Sequence, residues 1–291
     1  IHGEKNLYIN ASRLENNASN LKSFGNIFLT GQTFLNISPL FKQTEHTTNF
    51  RSETAQEQAV RRSNTSQSAN TTFLNDGMPL ILAYYKVKDK ESAFKSEQLL
   101  SAKVQATGNV VADFKQVIDI FRNKEPTSQA SSIFTSLEKI NIKGRNVLLQ
   151  AGSMNINGTI ESDSDTNLIS QSLTNIKNSH ILSKKNDINI STVISILSRT
   201  SSFIAKNINI TSRQSDIVYE TDSSTLFSDS GNRQYASLQA EESLSLNAGG
   251  NINLSGINFS SNQNTEFIAG KDISITNSIY DLVTHQRGIE T

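Results

Sequence analysis

Asp187-Ile188-Asn189-Ile190 and Asn207-Ile208-Asn209-Ile210 carry the same phrase, 20 residues apart: a polar anchor, an aliphatic, any residue, a second aliphatic. The phrase recurs in both directions. Upstream it stands as Asn6-Leu7-Tyr8-Ile9, Asn26-Ile27-Phe28-Leu29, Asn146-Val147-Leu148-Leu149 and, less perfectly, Asn167-Leu168-Ile169-Ser170. Downstream it stands as Asn251-Ile252-Asn253-Leu254 and Asp272-Ile273-Ser274-Ile275. Adjacent copies are 20, 21, 20, 20 and 21 residues apart, and a fixed period of this length is the mark of a solenoid. Asn6, Asn26, Asn146, Asn167, Asp187, Asn207, Asn251 and Asp272 are therefore read as structural repeat anchors.

Within each phrase the aliphatics alternate with period two, which places them on one side of a half-buried strand. Glycine precedes the anchor at Gly25, Gly108, Gly144 and Gly250, and one place earlier at Gly249 and Gly270. Gly, Asn and Asp tolerate positive φ, so each anchor is expected at a tight corner leading into a strand. Further short apolar runs lie between anchors. Short strands joined by corners and closing every 20 or so residues describe one turn of an all-β, parallel β-helix. A single turn buries too little to fold alone, so stability must belong to the stack. The competing architecture is a β-sandwich, which needs hairpins with turns about every 8–12 residues and no fixed period. The repeated anchor favours the solenoid.

Composition agrees with a polar, ordered chain. Ser, Thr and Asn make up about a third of the 291 residues, and 35% are apolar. Charge balances at 27 basic against 27 acidic residues, which removes the global field that draws a protein to nucleic acid. There is no Cys, which excludes disulfide staples and thiol chemistry and suits a chain threaded unfolded through an oxidising compartment. No apolar stretch approaches the ~18–20 residues of a membrane span, and Ile1 begins no signal peptide. The chain reads as a piece of a longer one.

The repeat breaks over residues 38–98, which hold Pro39 and Pro79, a helix-favouring stretch at 53–62, a turn at Asn75-Asp76-Gly77 and a strand-like run at 80–87. This stretch is expected to leave the solenoid as a lateral excursion, either a plain loop or a partner-binding projection. The organisation expected is β-helix rungs at 1–37, an insertion at 38–98, and rungs again at 99–291. The step of 44 from Asn207 to Asn251 should hold two rungs and a smaller excursion near 221–233, and a further break is expected from Tyr280.

Chemistry is sparse. His2, His46, His180 and His285 are scattered, with no second His at ligand spacing. No nucleophile elbow, phosphate loop or dinucleotide fingerprint occurs. The cluster Glu161-Ser162-Asp163-Ser164-Asp165 reads as a solvated corner rather than a calcium site. Some β-helices cleave polysaccharides with clustered carboxylates, but Asn189, Asn209, Asn253 and Ser274, taken as the outward positions, neither donate a proton to a leaving group nor attack. The expectation is a non-enzyme with no cofactor, no metal and no catalytic residue.

Ala248-Gly249-Gly250-Asn251-Ile252-Asn253-Leu254, Ala269-Gly270-Lys271-Asp272-Ile273-Ser274-Ile275, Lys206-Asn207-Ile208-Asn209-Ile210 and Gly144-Arg145-Asn146-Val147 resemble haemagglutinin repeats. These repeats build the exoproteins of two-partner secretion: filamentous haemagglutinins, large haemolysins and contact-dependent growth inhibition effectors. The resemblance covers residues 1–37 and 99–291. It implies a right-handed parallel β-helix fibre, exported by an outer-membrane two-partner secretion transporter and displayed at a Gram-negative cell surface. There it would act as an adhesin or stalk on a receptor or glycan of a host or neighbouring bacterium. The alternative within the family is the delivery segment of a growth-inhibition toxin, and nothing in the chain matches a toxin domain.

Overall fold

The computed structural model describes residues 1–38, 40–45, 50–52, 84–86, 94–99, 102–122, 140–222 and 235–277, with backbone alone at 40–45, 50–52, 84–86, 94–99, 122 and 140. Every regular element among the described residues is a β-strand. One sheet system of 21 strands is wound from pairings that are all parallel.

Register reveals the coil. Leu7 lies beside Ile27, Ile27 beside Val110, and the column continues through Val147, Thr166, Ile188, Ile208, Leu244 and Thr265. A second column runs through Leu14, Phe34, Ile118, Met154, Thr174, Ile196, Ile217, Ile252 and Ile273. A third runs through Leu21, Val104, Ile142, Ile160, Ile181, Phe203, Leu238 and Phe259. Each turn gives one strand to each of three stacks and then steps up one rung of about 4.8 Å. The fold is a parallel β-helix.

Alternation along each strand sends one set of side chains into the coil. Ile27, Leu29, Ile118, Val147, Ile160, Ile188, Ile208 and Leu244 are buried, in a core that runs the length of the stack. The aromatic rings Phe34 and Phe114 stack inside at 5.4 Å, and Phe203 meets Tyr219 edge to face. Hydroxyls fill some interior places. Thr166 is buried in the first column and bonds the Ser162 hydroxyl at 2.9 Å, which lets a polar residue stand where its neighbours are aliphatic.

The corner between the second and third stacks has its own backbone. Ala18, Asn178, Thr200 and Gly256, each just past a second-stack strand, have φ of 48°, 49°, 47° and 60°. The rung of Val147–Ile156 turns this corner through Asn157 and Gly158 without positive φ, and three other rungs have long segments between the same two stacks. Residues 39–101, 123–139 and 223–234 all lie between a second-stack strand and the third-stack strand that follows it. A sharp left-handed bend touches only the strand ends, so a longer link can replace it without shifting register.

The glycines before the anchors serve a different purpose from the one their φ tolerance suggests. None of Gly25, Gly108, Gly144 and Gly250 has positive φ. A Cβ on Gly25 would sit 1.9 Å from the Lys5 carbonyl oxygen, and one on Gly250 would sit 2.2 Å from Asp216 Oδ1. Close approach of one rung to the next, not a left-handed bend, demands glycine there.

The chain divides into Ile1–Phe41 with Leu99–Thr291, the unit that holds the solenoid, and a separate unit, Lys42–Gln98. In the separate unit Phe50–Ser52 pairs antiparallel with Tyr84–Lys86. Leu40–Glu45 and Phe94–Leu99 form a further two-stranded sheet. The helix-favouring stretch 53–62, the turn at 75–77 and the fade from Tyr280 lie outside the described residues. Of the strand-like run 80–87, only Tyr84–Lys86 is described.

Candidate functional surface

The corner that leads into the first stack carries a ladder of side-chain amides and carboxylates. Asn26 donates its backbone N–H to Asn6 Oδ1 at 2.8 Å, and Asn109 does the same to Asn26 Oδ1 at 2.8 Å. Asn146 Nδ2 reaches Asn109 Oδ1 at 2.9 Å, and the Asp165 N–H reaches Asn146 Oδ1 at 3.2 Å. The Asp187 N–H then bonds Asp165 Oδ1 at 3.2 Å, and Asn207 Nδ2 bonds Asp187 Oδ1 at 2.8 Å. At the top, the Ser243 N–H and hydroxyl both donate to Asn207 Oδ1, at 3.2 and 2.6 Å. Each rung thus supplies the acceptor that the corner above requires.

Asn6, Asn26, Asn146, Asp187 and Asn207 stand in this ladder, together with Asn109, Asp165 and Ser243, which the repeat search did not single out. Asn167 stands apart: Thr166 pairs with Val147, so Asp165 occupies the corner and Asn167 points outward from the strand. Asn251 and Asp272 belong to a different corner, the one leading into the second stack. There the Asn251 N–H bonds Asp216 Oδ1 at 2.6 Å and the Asp272 N–H bonds Asn251 Oδ1 at 3.1 Å. The step of 44 therefore runs from one corner to another, and the smaller excursion expected near 221–233 falls mostly on residues 223–234, outside the described residues. The outward positions divide likewise. Asn167, Asn189 and Asn209 form an amide stack on the first face, at 3.0 and 2.9 Å, whereas Asn253 and Ser274 pair on the second.

Both ends of the longest excursion are tied down inside the wall. The Ala102 N–H donates to the Ser38 hydroxyl at 2.9 Å, and Asn36 and Asn141 donate to the Ala102 carbonyl at 3.2 and 3.3 Å. Asn16 donates to Asn36 Oδ1 at 2.7 Å and to the Lys103 carbonyl at 3.2 Å. In the second stack Tyr219 is fully buried, with its hydroxyl 2.7 Å from the Ser201 carbonyl oxygen, and burial pushes its phenol far above the ordinary range.

Several charged residues of the outer wall pair between rungs. Lys143 reaches Glu161 at 2.9 Å from below, and Lys184 reaches Glu161 and, at 3.4 Å, Asp163 from above. Burial alone would raise the Glu161 carboxyl, but hydrogen bonds and charge from Lys184 and Lys143 outweigh it and hold the group below its usual value. Burial lowers the His180 imidazole, and the nearby Glu161 charge partly opposes this. The cluster 161–165 is thus shared out: Glu161 and Asp163 to lysines, Asp165 to the ladder.

Among the described residues no group of three or more His, Cys, Asp or Glu is placed to hold a metal ion. His46 and His285 lie outside them. What this wall offers is fixed spacing: outward side chains repeat at the rung distance in straight columns. No family model matches the chain, and no curated protein or solved structure matches it either.

Proposed function

We propose that this chain is a non-catalytic segment of a large, secreted, surface-displayed filamentous exoprotein that works through shape and contact. The observation that carries the reading is the ladder from Asn6 to Ser243, in which each rung completes the hydrogen bonds of the next. Such a stack is self-templating and extends without limit in one direction, which suits a fibre that folds as it emerges from a transporter. The charge pairing between rungs and the absence of Cys favour the same reading, since neither needs a cofactor or an oxidant to complete the fold.

In this reading an outer-membrane transporter of the two-partner type exports the protein, and the cell surface is where it acts. Recognition falls to the outward columns and to the long segments that join the second and third stacks. The test is localisation. With an epitope placed in residues 223–234 of the full protein, antibody should label intact cells and lose that label when the partner transporter is deleted. Labelling only after the cells are permeabilised would sink the proposal.

A further inference from the structure

We propose that the first face of the solenoid carries a binding strip for a neutral glycan over the rungs from Tyr8 to Gln150. Two outward columns run side by side there. One is apolar: Tyr8 is in register with Phe28, Phe28 with Val111, and Val111 with Leu148. The other is polar: Asn10 is in register with Thr30, Thr30 with Asp113, and Asp113 with Gln150. Members of a pair on one strand are two residues apart, about 7 Å, and each column repeats at about 4.8 Å.

Tyr8 is 68% exposed and its ring stacks on Phe28 at 4.9 Å, and the ridge continues through the half-buried Phe28, Val111 and Leu148. Beside it, a groove of about 300 Å³ is lined by Asn10, Ser12, Thr30, Gln32, Asp113 and Lys115. Its floor includes Gly31, where a Cβ would meet the Ala11 carbonyl oxygen at 1.8 Å.

A pyranose chain matches this strip in chemistry. Each sugar presents a C–H patch that packs on apolar side chains, together with hydroxyls that give and take hydrogen bonds. The amides, hydroxyls and carboxylate of the groove provide both donors and acceptors. The groove holds one carboxylate, Asp113, and one ammonium, Lys115, whose charges offset, so a neutral sugar fits better than a sulfated or acidic one. The strip ends where the columns exchange character: Leu148 gives way to Asn167 and Gln150 to Ile169. Its three rung steps span about 14 Å, room for three or four sugars.

The setting rests on the surface-display reading, but the binding does not, and the test separates them. The purified full chain is titrated calorimetrically with neutral gluco-, galacto-, manno-, xylo- and N-acetylglucosamine oligosaccharides of two to six units. One series should bind, tightening up to about four units and then levelling. Tyr8→Ala, Gln32→Ala and Asp113→Ala should each weaken it by about tenfold or more with unchanged melting. Asn209→Ala, further along the same face, should leave it alone. Failure of every neutral series, tighter binding of acidic oligosaccharides titrated in parallel, or full binding by Tyr8→Ala would each overturn the proposal. Cell labelling would be unaffected by any of these results.

Discussion

Ala102 donates its backbone N–H to the Ser38 hydroxyl at 2.9 Å, so the two ends of a 63-residue excursion meet inside the solenoid wall. Around them Asn16, Asn36 and Asn141 occupy interior places: Asn16 donates to Asn36, Asn141 donates to the Ser38 hydroxyl, and together they satisfy the Ala102 and Lys103 carbonyls. Asn36→Ala removes two buried hydrogen bonds, while the Ala102 carbonyl keeps Asn141 and the Asn16 amide keeps Lys103, so each lost bond is worth about 0.5–1.5 kcal/mol. A loss of roughly 1–3 kcal/mol is expected in urea unfolding, and a change under 0.5 kcal/mol would contradict the pinning role.

The corner ladder and the outward amide stack should differ in worth. Asn207 donates to Asp187 and accepts twice from Ser243, whereas Asn209 on the wall donates once to Asn189. Asn207→Ala should cost about 2 kcal/mol and Asn209→Ala about 0.5–1 kcal/mol. Equal costs in parallel denaturation curves would show the corner to be no more important than the wall.

Ile208 is fully buried between Ile188 and Leu244. Ile208→Asp places an unpaired carboxylate in the core and should destabilise by more than about 4 kcal/mol, enough to abolish cooperative melting. A melting temperature equal to wild type would refute the inward assignment.

Glycine has opposite value at the two corners. Gly25→Ala drives a Cβ to 1.9 Å from the Lys5 carbonyl oxygen and should cost about 1–3 kcal/mol through rung displacement. Ala18, exposed and at φ 48°, gains from the reverse change, and Ala18→Gly should stabilise by about 1 kcal/mol. Thermal melts of the two variants should move in opposite directions.

Glu161 gives the solenoid an acid limb. Its folded pKa lies below the unfolded one, so its contribution is present above the unfolded pKa, about 4.3, and is lost as pH falls through the folded value. Glu161→Gln should flatten the loss of stability below that pH, measured as urea midpoints from pH 6 to pH 3. An identical acid limb in both proteins would remove Glu161 as its source.

The coil itself was legible because its cause is local. Alternating Ile and Leu after a polar residue, as in Asn207-Ile208-Asn209-Ile210, can bury one side of a strand and anchor a corner whatever lies elsewhere in the chain. The corner at Asp165 was not legible, because Thr166 takes an aliphatic place once the Ser162 hydroxyl and the Ser183 hydroxyl of the next rung satisfy it, and Ser183 arrives only by tertiary contact. Nor could the phrase show that Asn251 and Asp272 serve a different corner from Asn207. Both corners ask for the same short acceptor, and only the pairing of Ile217 with Ile252 and of Ile208 with Leu244 tells them apart.

By itself, then, the sequence determined that strands of alternating character would stack with a period near 20 residues, since patterning and corner chemistry act within a few residues. Tertiary structure alone decided which phrase lies on which face, which corner carries the excursions, and that Tyr8, Phe28, Val111 and Leu148 form one column. Those relationships depend on register between rungs, and register is set by hydrogen bonds between residues as far apart as Asn26 and Asn109.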